Sequence, residues 1–133
     1  MPEIGQRIPS AQLTRLAYQA LIAARHKAER LNNAAAKAYV YGNLGQLYEG
    51  AKRYDEALNL TRQAVFFAQQ TAKLPFLYVW QWQLGRIKKA QGDKDGAIVA
   101  YQQAIKNLQP IRRQLASTGY LNITKTFREQ IAP

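Results

Sequence analysis

The side chains able to do chemistry are few: one histidine, His26, two serines, Ser10 and Ser117, and no cysteine. Nucleophilic catalysis needs a hydroxyl or thiolate beside a base that takes its proton, and this inventory leaves little from which to build one. His26 sits in the basic string Arg25-His26-Lys27 and reads as part of a solvated face rather than as a catalytic or metal-binding group. Two carboxylate clusters, Asp55-Glu56 and Asp93/Asp95, stand where helices begin. There a carboxylate caps free backbone N–H groups and lies favourably at the positive end of the helix dipole, which accounts for both clusters without a metal. Nothing resembles a phosphate-cradling loop, because Gly42-Asn43-Leu44-Gly45 falls inside a helical segment. No catalytic residue, metal or cofactor is expected.

Charge and aromatic residues point to binding instead. The net charge of +11, from 19 Lys and Arg against 8 Asp and Glu, draws acidic partners by long-range steering. The C-terminal part is the most basic, with Arg86, Lys88, Lys89, Lys94, Lys106, Arg112, Arg113, Lys125 and Arg128 against Asp93, Asp95 and Glu129. A nucleic-acid site would gather such cations on one stripe with aromatics between them. Here they scatter over several helices, so nucleic acid is disfavoured. Trp80 and Trp82 stand two apart, about 200° around a helix, so they cannot share one aromatic cage. Trp80 is assigned to the core or to the neighbouring helix, and Trp82 is the better candidate for a ligand.

The elements that must position these groups are helical. The chain has 133 residues, 47% of them hydrophobic, enough for one compact domain or a short helical array. No apolar run approaches the ~18 residues of a membrane span. Residues 1–9 lack the apolar centre of a signal peptide, and a cytoplasmic location is expected. Apolar residues recurring at steps of three and four predict helices at about 10–31, 34–50, 54–72, 75–91 and 94–115. Ser10 is placed as an N-cap, Gly50 as a C-terminal glycine and Pro75 in a first turn. Pro110 predicts a kink or a frayed final turn. The short links between segments force neighbouring helices antiparallel. The chain thus divides into a flexible N-terminus at 1–9, a helical array at 10–116 and a tail or connector at 117–133.

The array repeats. Leu44-Gly45 returns 40 residues later as Leu84-Gly85, Ala17 as Ala57 and Ala97, and Ala24 as Ala64 and Ala104. A period of this size marks a solenoid of stacked helix pairs. Leu44, Gly45 and Tyr48, followed by Tyr54 and Ala57, resemble one tetratricopeptide repeat (TPR). Leu84, Gly85, Ala97, Tyr101 and Ala104 resemble the next. Glycine and alanine at these positions let paired helices approach closely. The chain departs from the family in its longer period, in Lys88 and Gln81 standing where Tyr48 and Tyr41 stand, and in Gln69 and Gln109 at the usual closing proline. The fold expected is an all-α, TPR-like α-solenoid of antiparallel helix pairs.

In tetratricopeptide arrays the first helix of each pair lines a concave groove. Carried over position by position, helix 34–50 offers Tyr39, Asn43 and Gln46, and helix 75–91 offers Trp82, Arg86 and Lys89. The resemblance implies a non-enzymatic protein–protein interaction module that holds a peptide or a partner domain. An acidic or carboxylate-terminated peptide would meet Arg86 in a bidentate bond, with Trp82 and Tyr39 supplying apolar area.

Helix 10–31 falls in the register of a second helix, and residues 1–9 are too few to form its first. Its Leu/Ala stripe therefore lacks a partner, which favours a homodimer or contact with another domain. The string Tyr78-Val79-Trp80-Gln81-Trp82-Gln83-Leu84-Gly85-Arg86, with Lys89-Ala90-Gln91-Gly92-Asp93, resembles the last repeat of cyanobacterial CHAT proteins. So do Ala97-Ile98-Val99-Ala100-Tyr101 and Phe127-Arg128-Glu129. In those proteins a repeat array precedes a caspase-like peptidase domain. The resemblance implies a repeat region separated from a larger peptidase protein, with the adjacent CHAT domain as a partner. Two readings stay open: peptide binding in the groove, and a scaffold that contacts only its own domain or another copy.

Overall fold

The computed structural model describes residues 10–71 and 76–117. Among the described residues five helices follow one another: α1 (Ser10–Leu31), α2 (Ala34–Gly50), α3 (Tyr54–Gln69), α4 (Leu77–Ala90) and α5 (Lys94–Ser117). Each packs on the next in the chain, and α2 also touches α4. No strand occurs among the described residues. The architecture is an all-α solenoid in which α2 pairs with α3 and α4 with α5, and α1 leads. Helix α5 continues through Pro110 to Ser117, because the proline lies on the exposed side where water can satisfy the carbonyl its ring displaces. Pro75, the N-terminal nine residues and the tail from Thr118 lie outside the described residues.

Helices α1, α2 and α4 end in the same way. After each comes a residue with positive φ, namely Asn32 at 49°, Lys52 at 61° and Gly92 at 85°. At each end the next N–H reaches back over the last turn: Asn33 to the Ala28 carbonyl, Arg53 to that of Tyr48 and Asp93 to that of Lys88. This is the Schellman arrangement, which occupies carbonyls a helix end leaves free. Gly50 ends α2 as expected, while the left-handed conformation falls two residues on, at Lys52. The residue that closes one helix also opens the next. Asn33 Oδ1 accepts from the Ala36 N–H and Asp93 Oδ1 from the Gly96 N–H. Arg53, in the same place, has no capping side chain and pairs with Glu56 one turn on.

The core is built where the repeats meet. Ala38 and Tyr41 of α2, Ala64 and Ala68 of α3 and Trp80 of α4 form one buried cluster. Close approach depends on glycine. A Cβ placed on Gly42 would stand 2.5 Å from the Trp80 ring, and one on Gly85 would stand 2.5 Å from the Tyr101 ring. Gln83 ties three helices together: its Nε2 donates to the Gly42 carbonyl at 3.0 Å and to Thr61 Oγ1 at 2.9 Å. The departures in the second repeat are compensated locally. In the first, Tyr41 stacks on Phe67. Forty residues on, Gln81 and Asn107 replace that pair with a 2.8 Å amide–amide hydrogen bond, so the buried glutamine is satisfied.

Candidate partner-binding groove

Helices α2 and α4 run beside each other and leave an open groove of about 490 Å³ between them. Its α2 wall carries Tyr39, Asn43 and Gln46, which lie at i, i+4 and i+7 on one helical face. Its α4 wall carries Val79, Gln83 and Arg86, and Phe76 closes one end. Trp80 forms part of the floor between them. Tyr39 is 64% exposed and Phe76 54% exposed, so two aromatic rings stand free at the rim. The Asn43 amide donates to the Tyr39 carbonyl of its own helix at 2.7 Å. That leaves the Asn43 carbonyl oxygen and the exposed Gln46 amide facing the opening, as groups that pair with the backbone of an incoming chain.

Arg86 is already engaged. Its Nε donates to Glu49 Oε2 at 2.9 Å and its Nη2 to Glu49 Oε1 at 3.0 Å, a bidentate pair that fastens α4 to α2. The hydrogen bond to Glu49 raises the guanidinium pKa above its ordinary value. The remaining nitrogen, Nη1, takes no part in this pair. The groove floor and walls are therefore close to neutral, and attraction for acidic partners comes from the whole-chain charge rather than from an unpaired Arg86.

Of the six residues expected to bind a partner, Tyr39, Asn43, Gln46 and Arg86 line this groove, while Trp82 and Lys89 do not. Trp82 turns away and packs on Tyr101 of α5, with ring centroids 4.6 Å apart. Lys89 is exposed one turn beyond Arg86. As expected, the two tryptophans part company: Trp80 is buried and Trp82 is 45% exposed. Sequence reasoning missed Phe76, Val79 and Gln83. The 40-residue register held the signal for two of them, because Val79 and Gln83 follow Tyr39 and Asn43 by one period. Phe76 precedes its helix and carried no periodic signal.

Elsewhere, no three His, Asp or Glu side chains gather as metal ligands would among the described residues. Among those residues no helix is long and apolar enough to cross a membrane.

Stacked antiparallel pairs, glycine at the helix contacts and a groove lined by successive first helices define a repeat protein of the tetratricopeptide type. The tetratricopeptide repeat family model matches residues 32–65 and 81–107, which fall on α2–α3 and α4–α5. The chain therefore carries tetratricopeptide repeats. Repeats of this family generally mediate protein–protein interaction and are typically non-catalytic. No curated protein and no solved structure matches the chain.

Proposed function

We propose that this chain is a non-enzymatic interaction module that holds a peptide segment of a partner protein between α2 and α4. The observation that carries this reading is the groove itself. Exposed Tyr39 and Phe76 offer apolar area at its rim, and the Asn43 and Gln46 amides line the same groove. Rigid aromatics flanked by amides suit an extended or helical segment, whose side chains contact the rings while its backbone meets the amides. The preferred ligand is acidic, drawn by the net charge of +11. A carboxylate that reaches Arg86 Nη1 completes the contact without displacing Glu49.

The test is a random-peptide display selection on the intact protein, followed by calorimetry of the selected sequence against Tyr39→Ala and Gln46→Ala. Both residues are exposed, so neither change disturbs the core. The expected result is affinity lowered tenfold or more by Tyr39→Ala, on the order of 1.4 kcal/mol or above. Selected peptides that bind both variants like the parent would remove the groove from consideration. Arg86→Glu is a poorer probe, because it faces Glu49 with a second carboxylate and loosens the contact between repeats.

A second reading, a scaffold that self-associates through α1, rests on Leu13, Leu16 and Leu31, which are 44%, 48% and 64% exposed. The family match concerns the repeats alone, so a neighbouring CHAT peptidase domain stands as a proposal resting on the sequence likeness.

A further inference from the structure

The 40-residue register shows where the array is open. On α3, Leu58, Thr61, Val65 and Ala68 form the stripe facing α4, and Thr61 and Ala68 are 0% and 1% exposed. One period later, on α5, the same stripe reads Ile98, Tyr101, Ile105 and Leu108. Here Ile98 and Ile105 are 53% and 49% exposed. Gly42, which α4 covers with Trp80, returns as the exposed Trp82. A continuous apolar strip thus stands where a third first helix would lie.

Charge indicates what would cover it. Lys94 and Arg112 extend the α5 stripe by four residues at each end. Lys89 on α4 occupies the place of Glu49 on α2, the residue that clasps Arg86 of α4 one repeat on. All three cations are exposed and make none of the ion pairs found among the described residues. A helix seated in register would therefore face Lys89 with the position that Arg86 fills on α4, and the complementary residue there is a carboxylate.

Among the described residues no helix occupies that place. Helix α4 begins at Leu77, whose counterpart one period on is Ser117, and Ser117 is still part of α5. The position matching Arg86 would be Thr126, which carries no charge. A second copy, itself at +11, brings like charge to a basic rim.

We propose that the Trp82–Ile98–Tyr101–Ile105–Leu108 face is a second docking surface, separate from the groove, for an acidic amphipathic helix of another protein. Its aliphatic stripe would lie along α5, and a carboxylate would pair with Lys89.

The probe is a blocked synthetic peptide copying residues 77–90, with Trp80→Ala, Trp82→Gln, Arg86→Glu and both Lys88 and Lys89 changed to Glu, which makes it acidic. The first change makes room for Trp82 of the protein. The second leaves that tryptophan as the only partly exposed one to report. A control peptide keeps Arg86. Titration into the intact protein should shift tryptophan emission to the blue and saturate, with the Arg86→Glu peptide at least fivefold tighter than the control. Lys89→Glu in the protein should reverse that preference, while Tyr39→Ala in the groove should leave it unchanged. Lys89 is exposed, so its variant should fold, which circular dichroism checks. No saturable shift, or a preference indifferent to Lys89→Glu, would overturn the proposal. Loss of binding in Tyr39→Ala would assign the peptide to the groove instead. A mass that rises with concentration without peptide would assign the face to a second copy.

Discussion

Replacing Gln83 by methionine keeps the side chain's length while removing its amide. The residue is 1% exposed, and its Nε2 gives two hydrogen bonds, 3.0 Å to the Gly42 carbonyl and 2.9 Å to Thr61 Oγ1. A buried neutral hydrogen bond contributes about 1 kcal/mol net, so two losses amount to about 2 kcal/mol. The stranded Thr61 hydroxyl adds about 1 kcal/mol, reduced where it rotates back onto a carbonyl of its own helix. Burying the apolar thioether returns a similar amount, which leaves about 2 kcal/mol of destabilisation. At about 4 °C per kcal/mol, Tm should fall by about 8 °C by far-UV circular dichroism. Thr61→Val removes the other partner, so the double variant should be more stable than the summed single effects by about 1 kcal/mol. If Gln83→Met melts within about 2 °C of the parent, or the cycle shows no coupling, the amide does not join the repeats and the reasoning fails.

Gly92→Ala should cost about 1 kcal/mol, because the residue has φ of 85° with nothing within 4 Å of a new Cβ, so the loss is backbone strain alone. Lys52→Gly, at the matching position, should be neutral to slightly stabilising, and thermal melts that invert this order would count against the paired turns. Trp80→Ala should cost roughly 3–5 kcal/mol, whereas Trp82→Ala should cost under about 1.5 kcal/mol, the value of its ring pair with Tyr101; equal losses in urea unfolding would contradict the assigned facings. Burial, and then the hydrogen bond to Glu29, raise the Tyr41 pKa. The neutral phenol thus stabilises the native state, in full below the unfolded value near ~10 and decreasingly as pH rises through the folded one. Tyr41→Phe should cost about 1 kcal/mol at neutral pH and flatten the alkaline fall in Tm, and identical alkaline slopes would refute this.

Much of the fold was legible because helix contacts in a solenoid recur in register. Leu44-Gly45, Leu84-Gly85 and the alanine columns located both pairs, and the glycines meet their partner helices as the spacing required. Asn33, read only as part of a turn, caps the next helix, whereas Asp93 as a cap followed from residue type. Lys52 did not, because a lysine carries no mark of a left-handed φ that the surrounding turn imposes. The groove was read in part. Tyr39, Asn43 and Gln46 share one face of α2 by spacing alone. Trp82 was given to the groove, whereas the 40-residue register aligns it with Gly42 and not with Tyr39, Asn43 or Gln46. The Glu49–Arg86 pair spans 37 residues, and nothing local to either residue announces it. The exchange of the Tyr41–Phe67 stack for the Gln81–Asn107 hydrogen bond looks like a loss of the family pattern until both partners are seen together.

The central claim is that partners are held between α2 and α4. The most direct measurement is a nitrogen–proton correlation spectrum of the intact chain, titrated with the acidic peptide recovered by selection. The account predicts saturable shifts clustered on the amides of Tyr39, Asn43, Gln46, Val79 and Arg86, with the side-chain amides of Asn43 and Gln46 moving most. Shifts confined to α1 or to the outer face of α5, with those residues still, would contradict it.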